Sequence, residues 1–297
     1  MGVHAVVVGT AITHPTSFLP EGCNLYLAAA VKACPDIHIP VLGLGALQQP
    51  AAIEQALAEG KADVIAMARA SIADPHFPDK ARHGHPEDIV PCLRCLDCLT
   101  GLHAGNQLSC ADNCRSAQEA RFDRMSAPAK GRRKVLVVGG GPGGMMAAAT
   151  AAKRGHDVTL AEQSGKLGGL LKFTDYDELK IDLMRLKDYL ITQVDKSGAK
   201  VLLDTTVTPD FIKDGGYDAV ILAVGSSPAR PPIPGLDDPS VEHATTVYTK
   251  LANFGKKVAV LGGGLVGCET GLYLAEHGQE VTIIEMQDEI APEANWM

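Results

Sequence analysis

The sequence predicts an α/β protein built on parallel sheets, and three observations support this prediction. Short apolar strands alternate with helical segments over the first 85 residues. A cysteine-rich stretch follows, and the order strand, glycine loop, helix and strand then occurs twice. Continuous apolar strands separated by helices are typical of a parallel sheet covered on both faces.

The first 85 residues carry three predicted strands, at His4 to Gly9, Pro40 to Gly45 and Ala62 to Ala68. Helical patterns lie between them, at Asn24 to Lys32 and Ala51 to Glu59. Three such units cannot close an eight-stranded barrel, and a three-stranded piece would leave open edges. The segment is therefore either a small open sheet or the C-terminal part of a (β/α)8 barrel. We favour the barrel, because of the motifs that follow.

Two loops of this segment have the form of a phosphate site. Gly45 and Ala46 follow the second predicted strand, and Ala68 and Arg69 follow the third. In (β/α)8 barrels the loops after strands seven and eight commonly bind phosphate through backbone N–H groups. If these are those strands, Gly45, Ala46 and Arg69 are candidate phosphate ligands.

Four cysteines, Cys92, Cys95, Cys98 and Cys110, stand in Cys-x2-Cys-x2-Cys-x11-Cys spacing. Four thiolates can hold a tetrahedral zinc ion or ligate a [4Fe–4S] cluster. Zinc sites usually have two Cys-x-x-Cys pairs separated by a longer loop, whereas here three cysteines lie together and the fourth stands apart. This distribution favours iron–sulfur. Cys114 is a fifth candidate, with a spare thiol as its simpler interpretation.

The first glycine loop, Gly139 to Gly144, follows a strand and opens a helix, which is the context that a dinucleotide-binding motif requires. The helix N-terminus offers N–H groups to a pyrophosphate, and Glu162 ends the next strand, where a carboxylate binds ribose hydroxyls. Gly225 ends a later strand and resembles a second flavoprotein fingerprint. The predicted nucleotide-binding residues of this half are Gly139, Gly141, Gly143, Gly144, Glu162, Gly168, Gly169 and Gly225.

The second glycine loop, Gly262 to Gly267, repeats the pattern, and Glu285 stands as far beyond it as Glu162 stands beyond the first. The predicted nucleotide-binding residues here are Gly262, Gly264, Gly267 and Glu285. A carboxylate at this position repels a 2′-phosphate, so NADH is favoured over NADPH. Tandem nucleotide folds usually divide FAD and nicotinamide between them; the alternative for the second is an ADP-binding or vestigial fold.

Composition excludes several classes of function. The net charge is −8, and the only short basic run, residues 130–134, has the form of a linker, so we expect no nucleic-acid partner. No apolar run of 18 residues exists, and the first Lys or Arg is Lys32, so neither a membrane span nor a signal peptide is predicted. Eight cysteines without a secretion signal indicate a reducing, cytoplasmic location.

Several runs together resemble the end of an Old Yellow Enzyme-type barrel with its iron–sulfur extension. These runs are Gly45-Ala46-Leu47, Ala62 to Ala70, Ala73-Asp74-Pro75 and Pro91 to Cys95. With the two glycine loops, the whole chain resembles the family of 2,4-dienoyl-CoA reductases, 2-enoate reductases, bile-acid ene-reductases and trimethylamine dehydrogenase. The third cysteine stands one residue earlier than in most dienoyl-CoA reductases, which points towards the enoate branch, the bile-acid branch or an uncharacterised one.

The resemblance implies four parts. Residues 1–85 are the C-terminal part of an FMN-binding barrel, with FMN on Gly45, Ala46, Ala68 and Arg69, and residues 86–125 hold a [4Fe–4S] cluster. Residues 130–235 form a Rossmann-like FAD domain, and residues 236–297 form the first half of an NAD(P)-binding domain. Both ends are expected to be incomplete, with the rest of the barrel upstream or in a partner chain.

The implied activity is the passage of electrons from NADH through FAD and the cluster to FMN, for reduction of a small activated alkene. Two alternatives stay open: an amine dehydrogenase working in the oxidative direction, and a non-catalytic truncated or zinc-stapled scaffold. The barrel strands that carry the family's substrate site are not in this sequence. No catalytic residue is therefore assigned, we expect the chain alone to reduce dyes but not alkenes, and the oligomeric state stays open.

Overall fold

The computed structural model describes residues 13–292 and residue 294. The chain divides into two compact units, the first formed by residues 1–172 and 179–225, the second by residues 173–178 and 226–297. The strand predicted at residues 4–9 lies outside the described residues. The observed elements confirm the α/β class.

In the described residues, the barrel and cysteine parts of the first unit contain α-helices, two short strands and a 3-10 turn at Pro86–Asp88. In chain order these are α1 (Leu25–Lys32), β1 (Leu42–Gly43), α2 (Pro50–Ala58), β2 (Val64–Ile65), α3 (Arg69–Ala73), α4 (Phe77–Arg82), α5 (Asp97–His103) and α6 (Glu119–Met125).

Strands β1 and β2 pair in parallel, with Leu42 opposite Val64 and Gly43 opposite Ile65. They are much shorter than the predicted strands, since each has only one paired neighbour among the described residues and a strand is defined by its pairing. Helices α1 and α2 cover them, as Leu25 and Ala56 are buried in one apolar cluster. The alternation of strand and helix predicted for this segment is present in the described part.

The nucleotide-binding part of the first unit has four strands and three helices. These are β3 (Lys134–Val138), α7 (Pro142–Lys153), β4 (Asp157–Ala161), α8 (Ile181–Ser197), β5 (Lys200–Leu202), α9 (Pro209–Asp214) and β6 (Ala219–Leu222). All strands are parallel, in the order β5-β4-β3-β6. The chain leaves β3 towards β4 on one side and reaches β6 on the other, so the topological switch point lies at the carboxyl end of β3, where ligands of such sheets bind.

The core of this part forms where β3 and β4 meet α7 and α8. Val137, Met145, Leu160 and Val194 are completely buried there. Burying a side chain of this size contributes about 1.5–3 kcal/mol each. This packing fixes the glycine loop that joins β3 to α7.

Helix α8 is amphipathic and also makes polar contacts beside its apolar face. Gln193 Nε2 and Lys196 Nζ each donate to Asp88 Oδ1 at 2.9 Å. Gly198 follows the helix with a φ of 76°, a left-handed C-terminal residue that glycine adopts at low cost. Short 3-10 turns, Gly169–Tyr176 and Glu178–Lys180, precede α8.

The second unit contains α10 (Val247–Lys250), β7 (Lys257–Leu261), α11 (Leu265–Glu276) and β8 (Glu280–Ile284). Strands β7 and β8 are parallel, and α11 packs on them through the buried Tyr273 and Leu274. The predicted second βαβ unit is therefore present. None of the helices in the described part of the chain has the length and apolar character needed to cross a bilayer.

Candidate functional site

The first glycine loop is built so that its outer glycines cannot carry a side chain. Gly139 has a φ of 106°, and a Cβ on it would lie 2.3 Å from the carbonyl oxygen of Ala223. A Cβ on Gly144 would lie 1.8 Å from the carbonyl oxygen of Gly139. These contacts bring the end of β3, the start of α7 and the end of β6 together at the switch point. Gly225 follows with a left-handed φ of 71°.

The loop at Gly168 and Gly169 lies against the same site. Gly168 donates its backbone N–H to the oxygen of Gly140 at 2.9 Å, and a Cβ on Gly169 would lie 2.8 Å from Gly141 Cα. A Cβ on Gly143, in contrast, would meet no heavy atom within 4 Å. Gly143 therefore faces open space at the N-terminus of α7, where a pyrophosphate fits.

Glu162 follows β4 and braces the glycine loop. Its Oε2 accepts from Gly140 N at 2.7 Å, and its Oε1 accepts from Ser164 N at 2.9 Å and from Ser164 Oγ at 2.7 Å. Burial raises the pKa of this carboxyl, but the hydrogen bonds from Ser164 and Gly140 lower it more, so the net pKa lies below its ordinary value. Glu162 is thus an ionised acceptor, as ribose binding requires, with a bracing role that the sequence did not predict.

The second glycine loop repeats this geometry within the second unit. Gly264 is the N-cap of α11 with φ −67° and ψ −177°, and Gly141 is the N-cap of α7 with φ −76° and ψ −178°. A Cβ on Gly267 would lie 1.8 Å from the oxygen of Gly262, whose φ is 101°. Both loops therefore have the same turn, which suits a dinucleotide in each.

Glu285 occupies the position in the second loop that Glu162 occupies in the first. Its Oε2 accepts from Gly263 N at 2.6 Å, and its Oε1 accepts from Gln287 N at 2.8 Å. The hydrogen bond from Gly263 is the largest influence on this carboxyl and lowers its pKa. A negative charge is therefore fixed beside the loop.

The four predicted cysteine ligands converge in the first unit. Cys110 lies close enough to Cys92, Cys95 and Cys98 to influence the pKa of each. Burial raises the pKa of Cys92 to about 12, and burial also raises the pKa of Cys95 and Cys98. Thiols bind a metal as thiolates, so binding of a metal by these four residues would release their protons. Cys114 is exposed.

The spacing of these sulfur atoms can be compared with what each metal interpretation requires. No three of the four sulfurs, all of which belong to described residues, lie within 4.8 Å of one another. A tetrahedral zinc ion with Zn–S bonds of about 2.3 Å brings its sulfurs to about 3.8 Å from one another. In a [4Fe–4S] cluster each thiolate binds a different iron at the outside of the Fe4S4 cube, so its sulfurs stand farther apart than around a single zinc ion.

A buried polar network holds the cysteine segment against α8. Gln48 Oε1 accepts from Cys92 N at 2.7 Å, and Gln48 Nε2 donates to Asp182 Oδ1 at 2.9 Å. Arg94 Nε donates to Asp182 Oδ2 at 2.7 Å. Arg94 and Asp182 are 3% and 2% exposed, and breaking such a buried pair typically costs about 3–5 kcal/mol. Sequence reasoning missed this network, because Asp182 lies far along the chain in a segment without a motif.

The predicted phosphate residues of the barrel segment lie at turns with unusual backbone geometry. Gly45 and Ala46 have φ values of 145° and 58°, and Ala68 precedes α3. Arg69 Nη2 donates to Pro15 O at 2.7 Å, while Nη1 is buried with no hydrogen-bond partner among the described residues. An unsatisfied buried donor costs about 1–3 kcal/mol. Arg69 therefore fits an anionic group such as a flavin phosphate.

Arg69 also connects the barrel segment with the cysteines. Its positive charge acts on the thiols of Cys92 and Cys98 and on the ring of His14. Burial, followed by the charges of Arg69 and His103, lowers the pKa of His14. Arg69, itself a candidate phosphate ligand, is thus close enough to two of the candidate cluster ligands to act on them electrostatically.

Comparison with known proteins agrees with dinucleotide sites at the glycine loops and a flavin site in the barrel segment. Residues 133–295 match the family model described as pyridine nucleotide-disulphide oxidoreductase. Residues 29–88 match the model of the NADH:flavin oxidoreductase / NADH oxidase family. The fold and its loops thus define a flavoprotein that binds a pyridine nucleotide.

Individual relatives show which flavoproteins this chain resembles. The chain is 39% identical to an NADH oxidase from Thermoanaerobacter brockii, covering 98% of this chain and 46% of the relative. It is 37% identical to a cinnamate reductase from Clostridium sporogenes, covering 94% and 41%. A solved structure of 2-naphthoyl-CoA reductase with 2-naphthoyl-CoA superposes with a TM-score of 0.90 at 36% identity, covering 97% and 43%.

The chain belongs to the NADH:flavin oxidoreductases of the 2-enoate and dienoyl-CoA reductase family. It spans less than half the length of these relatives. The resemblance inferred from the sequence is therefore confirmed. The role of each predicted site residue stays a prediction.

Proposed function

We propose that this chain carries the electron-input part of an NADH-dependent oxidoreductase that reduces an activated alkene. In this proposal NADH binds in the second unit, and FAD, a [4Fe–4S] cluster and FMN bind in the first. The observation that carries the proposal is the proximity of four thiols to one another and to the candidate FMN residue Arg69, on a segment whose Arg94 pairs with Asp182 of α8. In the proposed path, electrons pass from NADH to FAD, then to the cluster and finally to FMN.

The residues of the two glycine loops bind and orient the nucleotides. The N-terminus of α7 would hold the FAD pyrophosphate, with Gly143 open to its approach, and Glu162 would accept from the ribose. Gly264 and Glu285 have the matching geometry for NADH.

Cys92, Cys95, Cys98 and Cys110 would hold the cluster, and Gly45, Ala46, Ala68 and Arg69 would hold the FMN phosphate. When bound, the flavins and the cluster would convert two-electron transfer from NADH into one-electron transfer through the cluster. The protein's contribution is to hold these groups in order and to bury the thiols, since burial and hydrogen bonding to sulfur tune the potential of a cluster.

The proposed substrate class follows from the chemistry of the named relatives' substrates. Cinnamate and 2-naphthoyl-CoA both carry an unsaturated carbon system conjugated with a carboxyl-derived group. An enoate or enoyl-CoA type of alkene is therefore the proposed substrate, and the rest of the barrel would supply its binding site.

The first test is the cofactor content of the chain purified without oxygen. We expect about four iron atoms and about four acid-labile sulfides per chain, a brown colour, and flavin that bleaches on addition of NADH. Absence of iron and sulfide would contradict the proposal. Iron-containing protein whose flavin NADH does not bleach would favour the oxidative amine dehydrogenase alternative.

Replacing Glu285 with glutamine is expected to weaken the preference for NADH. Two like charges repel even in water, so loss of the carboxylate should improve relative NADPH binding by roughly fivefold. The ratio of the two dissociation constants, from titration of nucleotide fluorescence, measures this. Glu289→Gln, an exposed change of the same type nearby, is the control and should leave the ratio unaltered. An unchanged ratio in Glu285→Gln would remove Glu285 from the specificity site.

A further inference from the structure

The segment that carries Cys92 and Cys95 has an unusual backbone. Arg94 and Leu96 have φ values of 52° and 63°, which is the left-handed region that residues with a Cβ rarely adopt. The turn at Arg94 aims its backbone N–H at Cys92, with 3.4 Å between Arg94 N and Cys92 Sγ. Something outside this short segment must hold the turn, because two unfavourable conformations separated by a single residue would otherwise relax.

Two hydrogen-bonded paths from the turn end on one carboxylate. Arg94 reaches Asp182 Oδ2 directly, and Cys92 N reaches Asp182 Oδ1 through the side chain of Gln48. The two oxygens of Asp182 therefore fix both ends of the strained turn. The guanidinium of Arg94 also donates to the backbone oxygen of Leu19. This hydrogen bond ties Arg94 to the barrel segment as well as to α8.

Asp182 is itself held by charge. Arg185, one turn later on α8, donates to Asp182 Oδ1 at 3.1 Å and pairs with Glu21. Two arginines, Arg94 and Arg185, thus face two carboxylates, Asp182 and Glu21. Neutralising Asp182 would remove the buried countercharge of Arg94, and an uncompensated buried guanidinium is strongly unfavourable, so Arg94 would move from its position.

We propose that Asp182 is a positioning residue for the iron–sulfur cluster, acting from the FAD-domain helix through Arg94 and Gln48 on the turn that presents Cys92. The inference rests on the proposed function, since it assumes that the cysteines hold a cluster. It adds that retention of the cluster depends on a residue of α8, outside the cysteine segment. Groups that support a metal's ligands in this way are often as important as the ligands themselves.

The test compares Asp182→Asn with Asp195→Asn in anaerobically purified chain. Both changes lie on α8 and remove one carboxylate, but Asp195 is exposed. Measurements are iron and FAD per chain, the rate at which EDTA bleaches the cluster absorbance, and the electron paramagnetic resonance spectrum of the reduced cluster. We expect Asp182→Asn to retain FAD but to lose its cluster roughly tenfold to a hundredfold faster, with an altered spectrum. Asp195→Asn should match the wild type.

Gln48→Ala provides a second variant that changes no charge, in case Asp182→Asn does not fold. It removes the acceptor of Cys92 N, so faster bleaching with unchanged FAD content is again expected. Wild-type chain without iron would overturn the proposed function and this inference with it. Wild-type chain with iron, combined with wild-type bleaching rates in Asp182→Asn and Gln48→Ala, would overturn this inference alone.

Discussion

Cys98→Ser is expected to abolish iron binding, from about four iron atoms per chain to fewer than one. Cys98 is buried, with 7% of its surface exposed, and lies near Cys110. A serine hydroxyl does not ionise at neutral pH as a metal-bound thiol does, so one corner of the cluster would lose its ligand. Iron and sulfide analysis after anaerobic purification measures the effect. We expect the flavin of this variant to remain bound.

Cys114→Ser is the matched control for this experiment. Cys114 is a nearby exposed cysteine outside the four-cysteine spacing. We expect it to leave iron, sulfide and absorbance unchanged. If Cys114→Ser loses iron and Cys98→Ser keeps it, the ligand assignment is wrong. If neither variant changes a chain that contains iron, the iron lies elsewhere.

Gly144→Ala is expected to have the largest effect on the first nucleotide domain. The added methyl would lie 1.8 Å from the carbonyl oxygen of Gly139, so the turn between β3 and α7 must open. Overpacking of this kind costs about 3 kcal/mol at the upper end of its usual range, and here a rigid backbone atom is the neighbour. The urea midpoint of the apoprotein should fall, and FAD affinity should be lost with it.

Gly143→Ala separates folding from ligand binding in the same loop. Its methyl would meet no protein atom within 4 Å, and alanine in a helix is favoured over glycine by about 1 kcal/mol. We therefore expect an unchanged or higher urea midpoint. FAD affinity should nevertheless fall, because the methyl enters the space proposed for the pyrophosphate. Equal urea midpoints for Gly144→Ala and the wild type would contradict the close-contact argument.

The sequence alone determined the features that depend on neighbouring residues. The strand before Gly139, the helix after Gly144 and the glutamate beyond the next strand form a local pattern, and its repetition at Gly262 and Glu285 is observed in the second unit. Such motifs are readable because glycine and a carboxylate are required at fixed steps along the chain. The four-cysteine spacing was readable for the same reason.

Tertiary structure alone decided what holds these motifs in place. Gly139 requires its lack of a side chain because the carbonyl oxygen of Ala223, just after β6, approaches it, and Arg94 in its left-handed turn pairs with Asp182 of α8. Neither partner carries a local pattern. Contacts between residues distant in sequence depend on how sheets and helices pack, and a single sequence contains no spacing from which that packing can be deduced.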